Sequence, residues 1–158
     1  MRGALLVALV VAGGCRARFV DEGAARAASV GLGDLTGADL GAATAAGSGT
    51  FIGRAGHLGS GSVALLDYPA QDLIELRFGA DFFCSDVPGP VVVLTARDDL
   101  GTSLDALAGD LEIATLKSTS GAQSYFLRGS DVVASRDNVF VFCKPYGLEV
   151  AKAALSSP

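Results

Sequence analysis

At 158 residues the chain has room for one ordinary domain. Half of it is apolar, Gly is frequent at 21 and Trp is absent, a mix that favours strands and turns over a helical bundle. A net charge of −5, a pI near 4.7 and no basic patch argue against nucleic acid as a partner, since that needs Lys and Arg facing phosphates.

Residues 1–15 read as an export signal rather than as part of the fold. Arg2 is a minimal positive n-region, Gly3 to Ala12 an apolar h-region, and the small residues Ala12, Gly13 and Gly14 lead to Cys15. The apolar run is shorter than the roughly 20 residues a spanning helix needs. Cys15 after two small residues resembles a bacterial lipobox, although Ala12 stands where Leu is usual; the expectation is lipidation of Cys15. Lipid chains would then anchor the mature N-terminus in a membrane, each buried CH₂ contributing about 0.8 kcal/mol. An ordinary signal peptide cut nearby is the plainer alternative. Residues 16–48 are rich in Ala and Gly, and Phe19 is their only aromatic residue. They read as a flexible tether, spanning on the order of 30 Å root-mean-square.

From Gly49 the texture changes. Gly49–Arg54 predicts a first strand, and Gly56-His57-Leu58-Gly59-Ser60-Gly61 a Gly-rich turn. Ser62–Leu66 predicts a second strand, and Leu73, Ile74 and Leu76 mark a third. Asp81-Phe82-Phe83-Cys84 opens a connection stiffened by Val87-Pro88-Gly89-Pro90. Val91–Thr95 predicts a buried strand, and Arg97–Asp110 is the one long polar connection, with a short helical turn near Leu104–Leu107. Leu111–Leu116 alternates as a half-buried strand does. Gln123–Leu127, Val139–Cys143 and Leu148–Ala151 complete the set. Val139-Phe140-Val141-Phe142 is an unbroken β-branched and aromatic run, the pattern of a strand buried on both faces. Pro145 cannot continue a central ladder, which puts Cys143 at a strand end. Short strands joined too tightly for crossover helices predict an all-β fold, an antiparallel β-sandwich or small barrel over residues 49–158.

Several chemistries lack their residues. His57 is the only histidine, and no G-x-S-x-G elbow offers it a serine partner. No C-x-x-C is present for a zinc ribbon or a thioredoxin-type motif. Asp98, Asp99, Asp105 and Asp110 match no EF-hand spacing and read as a solvated acidic loop. His57 is either a ligand or proton partner, or a turn residue bonded to local backbone. The cysteines are the informative residues. In an exported chain Cys84 and Cys143 are expected to pair, a bond contributing about 4 kcal/mol in the chain-entropy model. Alternatively Cys143, with Lys144 next to it and His57 as a proton partner, is a nucleophilic or redox-active thiol.

Taken in order, these segments resemble the DM-thirteen domain, the Skeletor-type domain proposed to act in electron transfer at cell surfaces. The resemblance runs from about Gly49 to Leu155. It is carried by Gly49-Thr50-Phe51 with Gly53, Gly56-His57 with Ser60-Gly61, Asp81-Phe82, and Gly89-Pro90 before Val91–Leu94. Leu116-Lys117, Gly121, Gln123 and Tyr125 follow, then Val139–Cys143 with Tyr146. The resemblance implies an all-β fold and redox work at the single hallmark cysteine, here Cys143, either bare or holding a prosthetic group such as haem. Phe142 stands where Trp is common and Val150 where a second aromatic residue is usual. Cys84 is an addition, which makes a dithiol–disulfide couple possible. Because the family often accompanies haem-binding domains, a separate redox protein is the implied partner. The other reading is a non-catalytic surface module with an inert Cys84–Cys143 staple.

Overall fold

The computed structural model describes residues 40–129, 133 and 135–158. Residues 1–15, expected to be an export signal ending at Cys15, and residues 16–39 of the expected tether lie outside the described residues.

The described chain is all-β, and every strand pair is antiparallel. Sheet A has the order β1-β4-β5-β9, with β1 Thr44–Thr50, β4 Ser62–Tyr68, β5 Leu73–Phe78 and β9 Gln123–Arg128. Sheet B has the order β2-β11-β10-β7-β8, with β2 Ile52–Gly53, β7 Pro90–Thr95, β8 Leu111–Thr115, β10 Asn138–Cys143 and β11 Leu148–Ala154. β3 Gly59–Ser60 and β6 Phe83–Cys84 pair as a separate two-stranded ribbon, with β3 packed against β2 and β11.

The two sheets enclose one core. Val63 and Leu65 of β4, Ile74, Leu76 and Phe78 of β5, and Tyr125 and Leu127 of β9 come from one side. Val92, Leu94, Val139, Val141 and Cys143 come from the other. Alternation explains the choice, because successive side chains point to opposite faces of a strand. At the centre Phe78 packs against Phe51, Phe82 and Tyr125, with ring centroids 4.8, 4.7 and 5.5 Å away. A fully buried Phe contributes about 2–3 kcal/mol by area, and well-placed ring pairs add about 1 kcal/mol.

β10 is the central strand of sheet B, flanked by β7 and β11, and all six of its residues are buried. Val139, Val141 and Cys143 face the inter-sheet core. Phe140 and Phe142 belong to a second apolar cluster with Val91, Val93 and Leu100. The unbroken apolar run is thereby explained: both faces of the strand are covered.

The predicted first strand, Gly49–Arg54, is two strands in two sheets. β1 begins at Thr44 and pairs with β4, the chain crosses at the buried Phe51, and β2 pairs with β11. Gly49 permits this, since a Cβ there would run into the carbonyl of Ala154. A Ser48–Ser156 bridge ties the edge of sheet A to the tail that follows β11.

Candidate functional site

Cys84 and Cys143 are both free thiols, each about 1% exposed, and both belong to the inter-sheet core. The expected Cys84–Cys143 bond is absent from the structure. Cys143 ends β10 opposite Pro90 on β7 and Leu148 on β11. Its Sγ donates to the carbonyl of Pro88 at 3.2 Å. That carbonyl lies four residues from Cys84, at most about 14 Å of extended chain. The β6–β7 loop therefore links the two sulfur sites.

Three segments named in the resemblance close around Cys84. The turn after β8 supplies one wall: Cys84 N donates to Thr119 O at 2.8 Å, and Gly121 N to Phe82 O at 2.9 Å. Tyr125 holds that turn in shape. Its hydroxyl accepts from Lys117 N at 3.0 Å and donates to Gln123 Oε1 at 2.7 Å, while Gln123 Nε2 donates to Ser118 O at 2.8 Å. The Gly-rich segment supplies the other wall. Gly59 is the register partner of Cys84, and Ser85 N donates to Leu58 O at 3.0 Å. Burial, with Asp86 nearby, pushes the Cys84 thiol up to about 11, so at neutral pH it is protonated and a poor nucleophile. Burial likewise pushes the Tyr125 phenol up to about 12, opposed by the bond from Lys117 N and reinforced by Cys84.

The structure separates other residues that the sequence groups together. Lys144 points its ammonium at Glu112 Oε2, 2.8 Å away, an exposed ion pair with β8. His57 is half-buried in the β2–β3 turn, two residues before Gly59, and its backbone N–H donates to Arg54 O at 2.8 Å. It thus neighbours the Cys84 ribbon along the chain.

Neither Cys84 nor Cys143 presents a sulfur to a haem at the surface. Clefts of about 300 and 400 Å³ open on the surface, and neither is lined by His57, Cys84 or Cys143. Both sulfurs are packed among core side chains. Among the described residues no group of three or more His, Cys, Asp or Glu is placed to hold a metal ion.

The acidic loop is only partly solvated. Asp98, Asp99 and Asp105 are exposed, but Asp110 is buried and saturated with donors. It accepts from Thr95 Oγ1 and Arg97 Nη1, each at 2.7 Å, and from Asp105 N at 2.8 Å. Two further buried carboxylates were not singled out from the sequence. Glu75 accepts from Tyr68, Arg77 and Ser124 on the outer face of sheet A. Glu149 accepts from Arg54 Nε at 2.8 Å and Leu100 N at 2.6 Å. The available signal was a lone acid inside an apolar strand, as in Leu73-Ile74-Glu75-Leu76 and Leu148-Glu149-Val150.

No family model, curated protein or solved structure matches this chain.

Proposed function

We propose that this chain is an extracytoplasmic, lipid-anchored module resembling the DM-thirteen domain, in which Cys84 and Cys143 act as a dithiol–disulfide redox pair. The carrying observation is the presence of two free thiols in one core, with the β6–β7 loop running from Cys84 to the Pro88 carbonyl that Cys143 Sγ donates to. Exported cysteines are ordinarily found oxidised. The reaction removes one hydrogen from each sulfur: two S–H bonds break, one S–S bond forms, and two protons and two electrons pass to a partner disulfide, which becomes two thiols. The electrons leave through a separate redox protein, and the N-terminal lipid on Cys15 keeps the module at the membrane. His57 beside the Cys84 ribbon is the proton partner in this reading. Lys144, held by Glu112, has a structural role. A bond requires the Cα atoms to come within about 7 Å, so the β6–β7 loop must follow the sulfurs.

A second reading rests on the burial of both thiols and the high pKa of Cys84: a non-catalytic envelope module whose cysteines, bonded or not, only pack. Equilibration of the full chain with a disulfide oxidant, followed by alkylation and mass measurement, tests the redox reading. The redox reading expects reversible loss of both alkylation sites without dimer formation, and Cys84→Ser or Cys143→Ser to abolish the intramolecular product. If the wild-type chain stays fully reduced, or forms only mixed disulfides, the redox reading fails.

A further inference from the structure

Residues 96–110 join β7 to β8 across the outer face of sheet B. The connection carries one 3-10 turn, Ala106–Ala108, and is irregular elsewhere; long connections of this kind include lids and binding loops. Beneath them Val91, Val93, Phe140 and Phe142 form the second apolar cluster, roofed by Leu100 and Leu104. Different side chains hold the two halves of the connection. Residues 105–110 are clamped by Asp110 to Thr95 and Arg97. Residues 98–104 are held mainly by side chains of the sheet and its turns. Lys152 Nζ donates to Asp98 O at 2.8 Å and to Asp98 Oδ1 at 3.1 Å. Leu100 N donates to Glu149 Oε1, Arg97 Nη2 donates to Leu100 O, and Arg54 Nη2 lies 3.6 Å from Asp99. Among the described residues no backbone–backbone hydrogen bond joins either half to a strand, so side chains hold both. A cleft of about 400 Å³ opens at its margin, lined by Arg54, Asp99, Thr102, Leu148 and Glu149 among others.

We propose that residues 98–104 are a lid that opens as a local unit, and that the face beneath it binds an aromatic anion. The lid itself indicates the ligand's chemistry. It lays apolar side chains on Phe140 and Phe142 while presenting the carboxylates of Asp98 and Asp99 to Lys152 and Arg54. When it lifts, the carboxylates leave with it. Two phenylalanine rings and a Lys152 ammonium 5.4 Å from the Phe140 ring centroid remain. An aromatic ring with a carboxylate or sulfonate replaces both halves of that interaction, ring on ring and anion on ammonium. Arg54 keeps Glu149 as its partner throughout.

Hydrogen–deuterium exchange of the full chain tests the lid. Amides of 98–104 are expected to exchange at least about tenfold faster than those of β7 and β10, by an opening insensitive to low denaturant, as local openings are. Glu149→Gln and, independently, Leu104→Ala are expected to speed exchange in 98–104 several-fold while leaving β7 and β10 unchanged. Exchange of 98–104 at the rate and denaturant dependence of β10 overturns the lid. The site is tested with 8-anilinonaphthalene-1-sulfonate and its neutral counterpart N-phenyl-1-naphthylamine. One saturable site is expected, several-fold tighter for the sulfonate, tightened further by Leu104→Ala, with the preference lost in Lys152→Met. Absence of saturable binding by Leu104→Ala, or equal preference for the two dyes in the wild-type chain, overturns the site.

Discussion

The two ends of β7 bury reactive groups in opposite ways. At Thr95 the strand meets Asp110, a carboxylate with three donors on its two oxygens. At Pro90 it meets Cys143, a thiol whose one hydrogen bond goes to the Pro88 carbonyl. A buried carboxylate has to be saturated with donors, because an unpaired charge in the core is far too costly. A buried thiol stays neutral and needs almost nothing. The buried carboxylates are therefore committed to holding the fold, whereas the two thiols are under no such obligation. Glu75 belongs with Asp110: burial opposes its ionisation, but bonds from Arg77, Ser124 and Tyr68 outweigh it and hold the carboxyl below its ordinary range.

Asp110→Ala breaks the charged end outright. It strands Thr95, Arg97 and the Asp105 amide, and is expected to destabilise by about 3 kcal/mol in a denaturant titration. A loss under about 1 kcal/mol would mean that the carboxylate is dispensable. The thiol end responds instead in its chemistry. With its thiol at about 11, Cys84 is expected to alkylate on the order of a hundredfold more slowly than an ordinary thiol at pH 8. The rate should climb about tenfold per pH unit toward 10, and a pH-independent rate would contradict the assignment.

Glu75→Gln sharpens the contrast with a smaller effect, about 1–2 kcal/mol at pH 7, because Arg77 is half exposed. Since the folded carboxyl titrates below its unfolded value, its contribution is present above about pH 4.3 and is lost as pH falls through the folded value. Wild type and variant should therefore converge in stability in acid, and a gap that persists there would rule out charge as its source. Cys143→Ser is expected to cost least, about 1 kcal/mol, since the hydroxyl can keep the bond to Pro88. A large loss would place Cys143 among the structural groups.

Much of this contrast was legible in the sequence, and the missing part has physical causes. β10 was readable because a strand covered on both faces must be apolar at every position, and Val139 to Phe142 are. β4, β5, β7 and β9 were readable from their apolar residues between turn signals. β1 was not, because Thr44–Thr50 is held by backbone pairing and a close approach at Gly49, with almost no apolar side chain to mark it. The two-residue strands β3 and β6 are too short to carry a period. Asp110 looked solvated because Thr95 and Arg97, 15 and 13 positions away, become its neighbours only when β7 and β8 pair. The state of Cys84 and Cys143 was open because it turns on a few ångströms of Cα separation, which no spacing in a sequence encodes.

The most direct measurement is the midpoint potential of the Cys84–Cys143 couple, obtained by equilibrating the full chain in thiol–disulfide buffers and weighing the alkylated products. A redox pair is expected to titrate as a two-electron couple between about −120 and −270 mV, the range of working dithiols. A midpoint below about −300 mV would mark a structural staple, and no intramolecular bond at any potential would leave two inert core thiols; either result contradicts the redox pair.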